Sequence, residues 1–171
     1  MTDVFIGVGS NINREENILS GIKTLHEQFG HLRLSPLYSS AAVGFEGDDF
    51  LNLVVGFSTV LTVGELSQRL RDIERCHGRA NDAPKFSSRS LDLDILLYGE
   101  TVGEVDGVVL PRAEVLFNAF VLQPLADIAP QSCHPVSGQA YGELWRAMAA
   151  QNRQRLEPYH GLDDALARIL L

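Results

Sequence analysis

Residues 89–98 read RSLDLDILLY. The run is apolar and branched enough for a β-strand, except that Asp92 and Asp94 stand where a buried strand takes Val or Ile. Strand side chains alternate, so Leu91, Leu93, Ile95 and Leu97 share one face and the two aspartates the other, their Cα atoms about 6.5–7 Å apart. Two carboxylates placed this way can converge on one hard cation or on a close pair of cations. Without a cation they repel each other and lose hydration. The spacing alone suits equally well two acids that face water or that pair with arginines.

The segment just upstream shifts that balance. Residues 78–88 (GRANDAPKFSS) form a polar loop, long for a connection in a small domain, and with it come Arg79, Lys85 and Arg89. Acids that hold Mg²⁺ beside arginines that clamp phosphate oxygens are the parts phosphoryl transfer needs, because its transition state is stabilised by position and charge. An arginine fork matches phosphate better than a lysine does. Neither common glycine device is present: no GxxxxGK[ST] occurs, and GVGSNI at 7–12 breaks GxGxxG with Ile12 at the third glycine.

Further out, the periodicity predicts a strand over Val4–Val8. A helix comes next, capped by Asn13, with Glu15 and Glu16 at its positive end, Ile18, Ile22, Leu25 and Phe29 on one face, and Gly30 as its stop. A second strand is expected over Leu32–Ser40, a loop over Ala41–Asp49 and a third strand over Phe50–Leu61. Thr62 and Glu65 form a capping box ahead of Leu66, Leu70 and Ile73, in a helix fading near His77. With RSLDLDILLY as the next strand, the order is βαββαβ, an α+β ferredoxin-like sheet with helices on one face. A hairpin is expected near Gly99–Val109, a helical piece from Ala113 to Leu122 ending near Pro124, and a helix around Gln139–Gln151. Leu162, Ala165, Leu166 and Ile169 suit an amphipathic turn or two in a C-terminal extension over 157–171.

The 171 residues, 45% apolar and 21% charged, fit a single domain. No apolar run approaches a membrane span and no basic leader precedes one, so the chain reads as soluble, unprocessed and cytoplasmic. A net charge of −8 disfavours nucleic acid as a partner. Cys76 and Cys133 are expected to be small apolar core residues. Their neighbours His77 and His134 lack the companions of a structural zinc site.

With these residues in view, the chain resembles the 6-hydroxymethyl-7,8-dihydropterin pyrophosphokinase family of folate biosynthesis. GSN at Gly9, FLN at Phe50, RSLDLDILLYG and LP...F..LQPLADIAP carry the resemblance in order along nearly the whole chain, and it implies the same ferredoxin-like α/β sandwich. It also implies a monomeric kinase that transfers pyrophosphate from ATP to the pterin, with Asp92 and Asp94 holding two Mg²⁺ ions and Arg79 and Arg89 assisting the transfer. The pterin would lie between Phe50 and Phe120, its edge met by Asn52 and by Ser40, Ala41 and Val43. Glu74, Lys85, Ile95 and Arg112 would join Arg79 and Arg89 around the nucleotide, and Phe86 would act as the lid.

The chain departs from the family pattern on the nucleotide side. Arg112 and Ala113 replace a histidine and an aromatic, Asn81 and Asn118 stand where basic residues are common, and Gly107 and Val109 replace polar contacts. Two explanations are open. Either Arg112 still reaches a phosphate in an active enzyme, or the chain is a divergent relative with altered nucleotide or pterin specificity, or a binder without catalysis. Retention of Asp92, Asp94, Arg79 and Arg89 favours an enzyme, because a binding module has little use for a two-metal site.

Overall fold

The computed structural model describes residues 1–40, 48–78, 90–152, 154 and 156–171. The expectations placed on Ala41, Val43, Arg79, Asn81, Lys85, Phe86 and Arg89 therefore fall outside the described residues. The double-aspartate run forms strand β5 (Asp92–Tyr98), which pairs antiparallel with β1 (Thr2–Ser10). β1 pairs on its other side with β4 (Phe50–Thr59), and β4 with β3 (Leu37–Ser40). The second expected strand is split, because Ser35 and Pro36 separate β3 from the two-residue β2 (Arg33–Leu34), which also pairs with β4.

One face of the sheet carries Val4, Ile6, Val8, Leu51, Leu53, Val55, Leu93 and Ile95 against α1 (Arg14–Phe29) and α2 (Val63–Cys76). Each such side chain contributes about 1.5–3 kcal/mol when fully buried. The opposite face is also covered. Phe5, Val54, Leu96 and Leu97 pack under α3 (Ala119–Ile128) and α4 (Tyr141–Ala149), so the fold has helices on both faces rather than on one.

A bulge decides where β5 changes its allegiance. The register passes from Ile6↔Ile95 to Phe5↔Leu97, leaving Leu96 without a partner on β1. One extra residue turns every later side chain to the other face. Leu97 consequently joins Leu96 under α3 and α4, not the face of Leu91, Leu93 and Ile95.

Other local expectations are met or corrected. The Thr62–Glu65 capping box forms, with the Glu65 N–H donating to Thr62 Oγ1 at 3.2 Å. Asn13 adopts a left-handed conformation (φ 42°) and makes no side-chain cap; Asn17 Nδ2 instead donates to the Ile12 carbonyl at 2.6 Å. The hairpin forms as β6 (Gly103–Val105) and β7 (Val108–Leu110). After it the chain makes a 3-10 turn at Ala113–Leu116 and then α3, which runs through Pro124 rather than stopping before it. Cys76 and Cys133 are both exposed, on a helix end and in a loop, so neither belongs to the core. His77 bridges the Ile73 carbonyl (2.7 Å) and Ser20 Oγ (2.9 Å), and His134 Nδ1 accepts from the N–H groups of Val136 and Ser137.

The last segment adds β8 (Leu156–Tyr159), paired with β3, and α5 (Asp163–Ile169), with Leu162 and Leu166 buried in the α1 and α2 core. The sheet order is β5-β1-β4-β3-β8. Among the described residues, no helix is long and apolar enough to cross a membrane.

Candidate active site

Strand register puts the acids in line with the proposed pterin residues. Asp92 pairs with Gly9, Gly9 with Asn52 and Asn52 with Tyr38. Directly opposed residues of a sheet point to one face, so Asp92 and Asn52 share the α3 and α4 side, two strand spacings or about 10 Å apart. Between them lies a glycine. A Cβ on Gly9 would stand 3.0 Å from Asn52 Oδ1, so the small residue leaves the amide its place. Asn52 Nδ2 donates to Ser40 Oγ at 2.7 Å, which fixes how the amide presents its oxygen. Phe50, opposite Ser40 and two residues from Asn52, belongs to the same face and is half-buried.

The two residues after Gly9 fasten neighbouring segments. Ser10 Oγ lies within hydrogen-bond reach of the carbonyls of Ser90 (2.5 Å) and Ile12 (3.1 Å). Asn11 Nδ2 donates to the Asp48 carbonyl at 3.1 Å. Ser10 thus holds the start of β5 and Asn11 the approach to Phe50. Spacing gave no sign of either role, because both bonds reach distant parts of the chain.

On β5, Asp94 is one-third exposed (35%), with Arg112 Nη1 3.6 Å from its Oδ1. Burial and the neighbouring Asp92 push the Asp94 carboxyl up to about 8; Arg112 pulls against them and Glu74 adds to them. Arg112 is shared, since its Nε lies 2.7 Å from Glu114 Oε2. One divided arginine does not neutralise this acid. Two acidic side chains on one face, one of them held against its charge, fit a hard divalent cation with oxygen ligands.

Behind the aspartates, Glu74 on α2 is 4% exposed, and its Oε2 accepts from the Leu93 N–H at 2.9 Å. The backbone between the two acids is thereby tied to a helix. The Arg112 N–H donates to the Leu96 carbonyl at 2.9 Å farther along the same strand edge. Between these ties opens a groove of about 790 Å³ walled by α2, β5 and β7. Asp94, Ile95, Glu74 and Arg112 line it, so the described residues expected around the nucleotide come together. Arg71 and Arg75 of α2 line it as well. Sequence reading missed these two, although their i,i+4 spacing on the helix that carries Glu74 was available. Gly107, Val109 and Ala113, three of the departures from the family pattern, line the same groove.

Phe120 opens the first turn of α3 and is half-buried. Tyr38, in the row of Asn52, donates its hydroxyl to Asp127 Oδ2 at the other end of that helix. The site therefore draws on β1, β3, β4, β5, α2 and α3.

Comparison with known proteins places the chain in a family. A sequence model of the 7,8-dihydro-6-hydroxymethylpterin-pyrophosphokinase family matches residues 5–130. The chain is 34% identical over 138 residues to the 2-amino-4-hydroxy-6-hydroxymethyldihydropteridine pyrophosphokinase of Aquifex aeolicus, covering 80% of this chain and 86% of that one. It is 34% identical over 157 residues to the protein of the same name from Pseudomonas aeruginosa, covering 90% and 96%. Among solved structures, the wild-type HPPK-DHPS of Plasmodium falciparum superposes with a TM-score of 0.67 at 13% identity, over 88% of this chain and 42% of that longer one. Likeness at that identity speaks for the fold.

Proposed function

The chain belongs to the 7,8-dihydro-6-hydroxymethylpterin-pyrophosphokinase family, and from that membership we infer that it transfers pyrophosphate from ATP to the 6-hydroxymethyl group of the dihydropterin in folate biosynthesis. The observation that carries the assignment of residues is the register that sets Asp92 and Asn52 on one face with Gly9 between them. A flat two-ring heterocycle held by Asn52 and Ser40, and stacked by Phe50 and Phe120, would point its hydroxymethyl group at the acids.

In the proposed reaction the hydroxymethyl oxygen bonds to the β-phosphorus of ATP. The bond from that phosphorus to the α-side bridging oxygen breaks, AMP leaves with the bridging electrons, and the hydroxyl proton goes to solvent. Asp92 and Asp94 would hold divalent cations, two Mg²⁺ in this reading. Such ions, when bound, offset the charge of the triphosphate and acidify the hydroxyl. Glu74 keeps the strand between the acids in place, and Arg112 is within reach to turn from Asp94 to a phosphate oxygen. Arg79 and Arg89 are assigned to the transferring phosphates, with Lys85 and Phe86 closing over them, by resemblance alone. Ala41 and Val43 are likewise assigned to the pterin edge. A cytoplasmic monomer of one domain, acting on small molecules and apart from nucleic acid and membranes, belongs to the same proposal, and the charge of −8 supports it.

The test is direct. Purified protein given MgATP and 6-hydroxymethyl-7,8-dihydropterin is expected to produce AMP and the pterin diphosphate in equal amounts. Formation of ADP, or of no product with either substrate bound, overturns the reading.

A further inference from the structure

Helix α3 begins with Ala119 and Phe120, yet the residue before it, Asn118, makes no side-chain cap. The first N–H groups of a helix have no partner within it, and a bare N-terminus is a mobile one. The partner here comes from far along the chain. The Ala119 N–H donates to Gln154 Oε1 at 2.5 Å, and Gln154 Nε2 donates to Asn118 Oδ1 at 3.3 Å. Gln154 is itself held in place: its N–H donates to Asn152 Oδ1 and its carbonyl accepts from Asn152 Nδ2, both at 2.9 Å. This residue lies outside the span matched by the family.

The turn that Gln154 caps closes on the Asn118 carbonyl, which accepts from the Val121 and Leu122 N–H groups at 3.1 and 2.9 Å, but a bond farther along the helix is missing. Pro124 sits within α3 and has no N–H, so the Phe120 carbonyl receives no i+4 donor. The helix body is fastened elsewhere, by Tyr38 to Asp127 and by packing of Leu122, Leu125 and Ala126 under the sheet. What ties the first turn, and with it the Phe120 ring, to the C-terminal segment is the contact with Gln154.

The geometry points to Gln154 as a positioning residue for the pterin: by capping α3 from the C-terminal segment it holds Phe120 at the angle that stacks on the substrate. The inference rests on the assignment of Phe120 to the pterin. It predicts its main effect on one substrate, since Gln154 bonds to Asn118, Ala119 and Asn152 and to none of the residues that line the nucleotide groove.

Gln154→Ala, Gln154→Glu, Phe120→Ala and the double variant Phe120→Ala with Gln154→Ala are to be compared for kcat, both KM values and Tm. Gln154→Ala is expected to raise the pterin KM about three- to tenfold, the scale of a lost helix cap, with kcat and the ATP KM near wild type. Gln154→Glu keeps the acceptor oxygen and is expected to restore the pterin KM. In the Phe120→Ala background, loss of Gln154 is expected to add nothing further, because the two act as one unit. Equal rises in both KM values, or a lower Tm with an unchanged pterin KM, overturn the positioning role. If Phe120→Ala leaves the pterin KM unchanged, the assignment of Phe120 falls and this inference falls with it. If Phe120→Ala raises it and Gln154→Ala does not, only this inference is lost.

Discussion

Asp94 has another aspartate two residues away, a buried glutamate behind it and, among the described residues, an arginine at 3.6 Å that it shares with Glu114. The sign of the resulting pH dependence comes from the raised carboxyl. The native state binds a proton at Asp94 up to about pH 8, whereas the unfolded chain releases it near 4. This group therefore lowers metal-free stability progressively as pH rises from about 4 to about 8, and by a constant amount above that. Asp94→Asn removes the conflict, so the metal-free variant is expected to melt higher than wild type at pH 8, with the difference shrinking toward pH 4. The same variant should lose about two to three orders of magnitude in turnover, the scale of lost transition-state electrostatics. Thermal melts at both pH values and a kcat measurement check the two halves separately. The aspartate pair was legible in the sequence because alternation along a strand is a local rule. The service of Gly9 to Asn52 was not, since a 3.0 Å approach between neighbouring strands depends on a register that no single segment contains.

The hairpin β6–β7 walls the groove beside Asp94; Leu110 is buried in the core with Val105 and Val108 packed against it, and one side chain ties its turn to α2. Asp106 Oδ2 accepts from the Gly64 N–H at 2.9 Å, in the first turn of α2, where a negative charge also meets the positive end of the helix. Asp106→Ala should cost about 1 kcal/mol of stability and loosen that wall. Its expected kinetic mark is a several-fold higher ATP KM beside an unchanged pterin KM, measured by titrating each substrate against saturating partner. At this scale the long elements β1, α1, β4, α2 and β5 were legible, because each repeats its apolar residues over several turns or pleats. β8 was not: four residues with Pro158 among them carry too little alternation to register, and proline suits only the outer strand it turned out to be. α3 was cut short by taking Pro124 as a stop, whereas a helix that buries Leu122, Leu125 and Ala126 keeps enough packing to run through it. The bulge at Leu96 hid Leu97 in the same way, by breaking a period that the residues themselves do not break.

The whole molecule is a sheet between two helical layers, and its stability rests on apolar burial on both faces. A chelator is accordingly expected to stop AMP formation and leave the far-UV circular dichroism unchanged, with activity returning on added Mg²⁺. Removing residues 160–171 takes away α5 with Leu162 and Leu166. That should cost about 3–6 kcal/mol, seen as a lower urea midpoint. Because α5 lies on the face away from Asp92, the folded fraction should turn over at the wild-type rate. The place of β8 beside β3 has a further meaning during synthesis. A ribosome delivers β1, β3, β4 and β5 long before Leu156 appears, and domains begin to fold as they emerge. For that interval β3 presents its open hydrogen-bonding side to every other nascent chain on the same message. Arrival of β8 ends the exposure, since its own outward rim is blunted by Glu157 and Pro158, and an elongation pause before that point would lengthen the time in which the chain can join its neighbours instead of itself.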